Sequence, residues 1–120
     1  MEGEEIAVVT NGQLYARAMA STLRIIEQVS GDRWHEPTPC AEWDARQVAN
    51  HIIGENLWAA ELFKGTTIAE VGGTLDGDLA GEDPAAAYAT SVTVATDAVT
   101  APEAMQAICH LSFGDYSGAD

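Results

Sequence analysis

Strong start and stop signals divide the apolar part of this 120-residue chain into three segments, and they restrict the fold more than any other sequence feature. Each segment opens on side chains that favour a helix start: Asn11, Asp44 with Gln47 three residues later, and Asp83 before Pro84. Each closes near a glycine or a proline, at about residues 30, 64 and 100. The sequence therefore predicts three main helices in an all-α domain.

Apolar residues recur at steps of three or four in the first two segments, as they do on the buried side of a helix. In the first segment, the predicted buried stripe consists of Leu14, Ala18, Thr22, Ile25 and Val29, and it is widened by Tyr15, Met19 and Ile26. In the second, it consists of Val48, Ile52, Ala59 and Leu62. The third segment is rich in alanine, whose small side chain allows helices to pack closely.

The stretches outside the helices predict two loops and a short C-terminal element. Residues 31–43 hold two prolines between Trp34 and Trp43, which predicts an ordered connection whose indoles seal the end of the core. Residues 65–83 are rich in Gly and Asp, which predicts an acidic surface loop with one short turn near Ile68–Val71. The run at residues 105–111 is too short for the spacing of its apolar residues to distinguish a helix from a strand. An extended piece or hairpin is favoured over a helix.

The charge balance excludes several classes of protein. The sequence has 19 acidic and 5 basic residues, a net charge of −14, and it is 47% hydrophobic. Proteins that bind nucleic acid or anionic lipid need clustered Lys and Arg, which this chain lacks. We therefore expect one folded acidic domain over residues 1–120 with no nucleic-acid or membrane partner. The acidic N-terminus does not resemble a signal peptide, so we expect a cytoplasmic protein with Cys40 and Cys109 as free thiols.

The second predicted helix carries a pair of side chains that could bind a metal. His51 and Glu55 are four residues apart, so they stack on one side of the helix, on or beside its apolar stripe. They could bind one ion together, or Glu55 could orient His51 through a hydrogen bond. The alternative is a structural histidine, with Glu55 reaching solvent. Zinc or nickel would need further ligands, for which the candidates are Cys109, His110, Asp115 and His35.

Two runs of residues resemble a known family. They are PTPCAEWD at residues 37–44 and VANHIIG at residues 48–54, with Trp58 one turn later. Together with Asp83-Pro84 and residues 110–115, they resemble actinobacterial DinB-like metal-binding proteins. These are relatives of the N-terminal domain of mycothiol-dependent maleylpyruvate isomerase. The resemblance extends over nearly the whole chain from Leu14 onward.

The resemblance implies a four-helix up-down bundle in which three side chains hold a divalent metal, zinc or nickel. His51 matches the first of these ligands, and Glu55 is either its hydrogen-bond partner or a weak additional ligand. In such proteins the other two ligands lie on a fourth helix, and this sequence stops before that helix. We therefore expect a DinB-like bundle that lacks its last helix and is incomplete at its C-terminus, with three main helices plus a short extended C-terminal segment.

Two functions are consistent with this resemblance. One is a metal-binding helical bundle without a complete catalytic site in this chain, with a small-molecule ligand in the groove that the missing helix would fill. The alternative is a metal-dependent thiol transferase or isomerase that uses zinc or nickel together with mycothiol. Because an open apolar groove favours association, we also expect a homodimer formed through that groove.

Overall fold

The computed structural model describes residues 9–120, which are mostly helical with one small sheet. The helices are α1 (Asn11–Ile26), α2 (Ala45–Phe63), the one-turn α3 (Ile68–Val71) and α4 (Pro84–Val99). Short 3-10 turns cover Gly31–Arg33 and Ala104–Gln106, and the strands are β1 (Ile108–Leu111) and β2 (Gly114–Ser117). The three main helices and the short turn are confirmed, and the predicted extended C-terminal segment is a two-stranded hairpin.

Local capping determines where α2 and α4 begin. At α2, Asp44 accepts a hydrogen bond from the Gln47 N–H, and the Gln47 side chain accepts one from the Asp44 N–H. At α4, Asp83 accepts from the Ala86 N–H, and Pro84 occupies the first helical position. Both predicted helix starts are confirmed. These starts can be predicted from the sequence because each cap involves residues no more than three positions apart.

The start of α1 differs from the prediction by one residue. Thr10, rather than Asn11, is the N-cap, because its hydroxyl accepts from the Gln13 N–H while the Gln13 side chain accepts from the Thr10 N–H. This reciprocal pair leaves Asn11 as the first residue of the helix. The helix ends at Ile26, four residues before the predicted end at Ser30.

The core lies along α4, which packs against both α1 and α2. Its central cluster of buried side chains consists of Ile26, Trp34, Ala49, Ile53, Ala80 and Tyr88. A polar link crosses this core: the Asn56 amide donates to Ser91 Oγ at 3.0 Å, and Ser91 Oγ donates to the Tyr88 carbonyl at 2.7 Å. Two of the three long helices are therefore joined by a buried hydrogen-bond chain as well as by apolar packing.

The buried faces of α1 and α2 correct the predicted stripes. The buried residues of α2 are Ala49, Ile53, Asn56 and Ala60. Three of these four residues lie one position after a residue of the predicted stripe. The buried face is therefore rotated by about 100° around the helix axis from the predicted face. On α1, Ile26 is buried as predicted, whereas Leu14, Ala18 and Ile25 of the same predicted stripe are exposed. The predictions failed because both helices carry apolar residues on two adjacent faces, and contact with α4 decides which one is buried.

The C-terminal hairpin packs against α2 through β1. Its strands are antiparallel, with His110 opposite Asp115, and Cys109 is buried beneath them. After the hairpin, the Gly118 N–H donates to the Ala107 carbonyl at 2.8 Å, so the chain folds back on itself. No helix within residues 9–120 is long and apolar enough to cross a membrane.

Candidate functional site

His51 lies on the side of α2 that faces away from the core. Its side chain is 51% exposed and that of Glu55 is 65% exposed, so both lie outside the buried stripe, and Glu55 reaches solvent as one of the alternatives predicted. His51 Nε2 is 3.9 Å from Glu55 Oε1, close enough for an ion pair when the imidazole is protonated but too long for a hydrogen bond. The predicted pairing of these two residues on one face is therefore present, and the face is solvent-accessible.

Trp43 covers one side of the His51 ring. The two ring centroids are 4.9 Å apart and the planes are tilted by 37°. Thr38 fixes this position because its hydroxyl donates to the Trp43 carbonyl at 2.7 Å. Trp34 is buried in the core as predicted, but Trp43 is exposed and contacts His51 instead of sealing the core.

Asn50 anchors the loop that follows α3. Its Oδ1 accepts hydrogen bonds from the N–H groups of Leu79 at 2.6 Å and Ala80 at 2.9 Å. Its Nδ2 donates to the Gly77 carbonyl at 3.0 Å. One side chain thus satisfies three backbone groups of a segment that has no regular structure of its own.

Arg46, one turn before Asn50, holds the same loop. Its guanidinium donates to Asp78 Oδ1 at 2.8 Å and to the Gly81 carbonyl at 2.7 Å. The hydrogen bond from Arg46 is the main cause that holds the pKa of the Asp78 carboxyl below its usual value. The predicted acidic loop is largely exposed at the surface, it is attached to α2 by these bonds, and Ala80 within it is buried.

These contacts enclose a groove of about 370 Å³ on the outer side of α2. It is lined by Trp43, Arg46, Gln47, Asn50, His51, Gly77 and Asp78. A second groove, of about 260 Å³, begins one turn further along α2 at Glu55. Its other lining residues are mainly apolar: Trp58, Leu62, Ile68, Leu111, Ser112 and Phe113. His51 therefore lines a polar groove, and Glu55, one turn later on α2, lines an apolar one.

The other candidate ligands do not join His51. His35 Nδ1 lies 3.4 Å from Asp44 Oδ2, and His110 Nδ1 lies 2.9 Å from Asp115 Oδ1. Within residues 9–120, no group of three or more His, Cys, Asp or Glu side chains is placed to hold a metal ion. His51 and Glu55 supply two donors at most, whereas a catalytic zinc site uses three protein ligands. The residues described do not form a complete metal site.

The comparison with known families fits this geometry. The model of the mycothiol maleylpyruvate isomerase N-terminal domain matches residues 15–110. The chain belongs to that family. The predicted relation is confirmed, and the match to the mycothiol maleylpyruvate isomerase N-terminal domain includes His51, Glu55 and all the residues that line the polar groove. Comparison with curated proteins and with solved structures gives no match.

Sequence reasoning identified His51 and Glu55 as candidate site residues, but it did not identify the residues that shape the groove around His51. The bonds from Arg46 and Asn50 to the loop connect residues 27 to 35 positions apart. No local pattern marks such a pairing. The four-residue spacing of Arg46 and Asn50 was the available signal, because it places two polar side chains on one side of α2.

Proposed function

We propose that this chain is a DinB-like metal-binding domain in which His51 is one ligand of a divalent metal, zinc or nickel. The remaining ligands come from groups other than residues 9–120, which hold no complete catalytic site of their own. The observation that supports this proposal is the exposed His51 imidazole in the polar groove, with its Nε2 3.9 Å from Glu55 Oε1, in a chain of the mycothiol maleylpyruvate isomerase N-terminal domain family.

The surroundings of His51 suit one metal–ligand bond. A neutral imidazole binds zinc through either ring nitrogen, and Nε2 of His51 points to the side where Glu55 lies. Trp43 packs against the ring and limits its rotation. If the metal binds Nδ1, Glu55 can accept a hydrogen bond from the Nε2–H group of His51. If the metal binds Nε2, Glu55 can be a weak additional ligand of the metal. A metal bound here would lower the pKa of a thiol or of water, which is the chemistry a thiol-dependent reaction requires.

Two donors on one helix bind a metal weakly, so the chain alone is expected to lack a complete catalytic site. The alternative function is a zinc- or nickel-dependent transferase or isomerase that uses mycothiol. It is favoured by the family, and it requires ligands from outside residues 9–120. Turnover in an assay of mycothiol-dependent isomerisation by the zinc- or nickel-loaded chain would support the alternative, and metal binding without turnover is the result that the first function predicts.

Metal titration tests the role of His51. Isothermal titration with zinc and with nickel should show one weak site per chain. His51→Ala should reduce the affinity at least tenfold, which is about 1.4 kcal/mol. Glu55→Gln should reduce it by less, and His35→Ala is the matched control because His35 is exposed and pairs only with Asp44 among the described residues. The proposal is wrong if the wild type binds neither metal or if His51→Ala binds like the wild type.

We also propose a homodimer, and whereas the sequence predicted that it forms through an open apolar groove, we assign the outer side of α1 to the contact. Leu14 and Ile25 are 52% and 65% exposed on this side, and Arg17 and Arg24 lie beside them. α1 has no acidic residue, whereas the chain as a whole carries a net charge of −14. The acidic surface of a second copy can pair with the arginines of α1, and association would cover Leu14 and Ile25. The cytoplasmic location likewise stays a prediction.

A further inference from the structure

Two surfaces of the described chain expose large apolar side chains in groups. One is the outer side of α1, with Leu14 and Ile25. The other is the apolar groove of about 260 Å³ between α2, α3 and the turn of the hairpin, where Ile68 and Phe113 are exposed. Grouped apolar residues on a surface mark places where another molecule binds. The two surfaces are therefore candidates for one contact.

The charges of the two surfaces are opposite. Arg17 and Arg24 are exposed on α1, and no acidic residue occurs in that helix. Among the described residues, Glu55 is the one charged side chain that lines the apolar groove. A guanidinium group can pair with this carboxylate while its alkyl part packs on apolar side chains or on the indole of Trp58. The groove therefore suits an apolar side chain that has an arginine as its neighbour.

The outer side of α1 presents this combination twice. Leu14 is one turn from Arg17 on the same side of the helix, and Ile25 directly follows Arg24. We propose that the apolar groove receives the outer side of α1 from a second copy of the chain, as an amphipathic helix lies in an apolar groove. One arginine pairs with the carboxylate of the groove, and a neighbouring apolar side chain lies against its aromatic residues. The inference rests on the proposed homodimer and names the surface that α1 contacts in it.

Charge disfavours the simpler dimer in which α1 packs against α1 of the second copy. That contact would bring Arg17 and Arg24 of both copies together, and like charges across an interface oppose association. In a contact between α1 and the groove, each copy contributes one α1 and one groove. Two equal contacts then form when a two-fold axis relates the copies.

Charge reversal on each surface tests this pairing. One variant carries Arg17→Glu with Arg24→Glu, and the other carries Glu55→Lys. Each variant alone should sediment with a one-chain mass at about 100 μM, because like charges then meet in both contacts. An equimolar mixture should have a two-chain mass, since one contact is the original pair and the other is the same pair with its charges exchanged. Asp97→Lys makes the same charge change on the exposed side of α4 and should associate like the wild type.

The apolar part of the contact has its own test. Phe113 is 74% exposed, so Phe113→Ala should leave the fold intact and weaken association about tenfold. Val94→Ala, at an exposed position of α4, should leave association unchanged. Equal association of these two variants would count against the groove as the contact.

The sedimentation results separate this inference from the homodimer itself. A one-chain mass for the wild type would refute the homodimer and this contact together. If the wild type associates and Glu55→Lys associates equally well, the homodimer stands and the contact with the groove is overturned. A mixture of the two charge variants that keeps a one-chain mass overturns it in the same way.

Discussion

The side-chain amide of Asn56 donates a 3.0 Å hydrogen bond to Oγ of Ser91 between α2 and α4. The two residues are 4% and 1% exposed, so water cannot replace either partner. A shift of one helix along the other would leave both groups unpaired in the core, which is a costly arrangement. The pair therefore fixes the register of α2 on α4, which in turn decides that His51 faces outward.

Ser91→Ala should destabilise the fold by about 1–3 kcal/mol, because the Asn56 amide would stay buried without its acceptor. Urea unfolding measures this loss. Thr93→Ala is the matched control, since Thr93 on the same helix is exposed and its hydroxyl donates only to the Ala89 carbonyl. Its effect should stay within about 0.5 kcal/mol. Equal effects of the two variants would contradict the role assigned to the buried pair.

The two thiols should react at different rates with a disulfide reagent. Cys40 is exposed, whereas Cys109 is buried under the hairpin, and burial raises the pKa of the Cys109 thiol. Less thiolate and less access both slow the reaction of Cys109, by roughly tenfold or more. A Cys40→Ser variant should show the slow phase alone and should become fast in urea. Two fast phases in the folded wild type would disprove this assignment.

Stability should fall in acid partly through Asp44. Its carboxylate accepts the Gln47 N–H and lies near His35, and these contacts, the first above all, hold its pKa below the usual 3.8. Above that value the carboxyl is charged in both states and its contribution is complete. Below it, the unfolded chain takes up the proton first, so stability decreases until the folded pKa is also passed.

Thermal unfolding between pH 7 and pH 2 tests this dependence. Asp44→Asn keeps an N-cap side chain but cannot titrate, so its stability should change less with acid than that of the wild type. Asp97→Asn, on the exposed side of α4, removes one negative charge away from any helix start and serves as the control. Parallel curves for the wild type and Asp44→Asn would rule out this contribution.

The proposed dimer predicts a two-chain mass in sedimentation at about 100 μM, a concentration at which micromolar affinities are saturated. The double variant Arg17→Glu with Arg24→Glu should give a one-chain mass, and added salt should weaken the wild-type association. Arg33→Glu is the control, because Arg33 is exposed and already pairs with Glu36. A one-chain mass for the wild type would refute the dimer.

The helices could be predicted from the sequence because their caps are local. The caps at Asp44 and Asp83 lie within three residues of the backbone groups that they satisfy. The first strand of the hairpin lies in the run at residues 105–111, which was too short to predict a helix. The family could also be recognised, since the residues that carry it form continuous runs in the sequence.

The buried faces and the groove could not be predicted in the same way. Val48 with Ile52 and Ala49 with Ile53 are equally suitable for a core, and only the distant α4 selects the second pair. Because Asn56 is polar, a count of apolar residues does not predict that its side of α2 is buried. Its burial is explained only by the hydrogen bond to Ser91, which lies 35 positions away. The attachment of the loop to Asn50 could not be predicted for the same reason, because the composition of the loop does not indicate which residue of α2 binds it.

The position of α4 also bears on how the chain folds during synthesis. α4 packs against both α1 and α2, yet it ends 73 residues after α1 does, at Val99 against Ile26. At ordinary rates of translation, α1 waits roughly 4 to 15 s for its partner. For about the second half of that interval, after Phe63 has been made, the nascent protein has two amphipathic helices without their common support, and we expect chaperones that bind exposed apolar segments to recognise it.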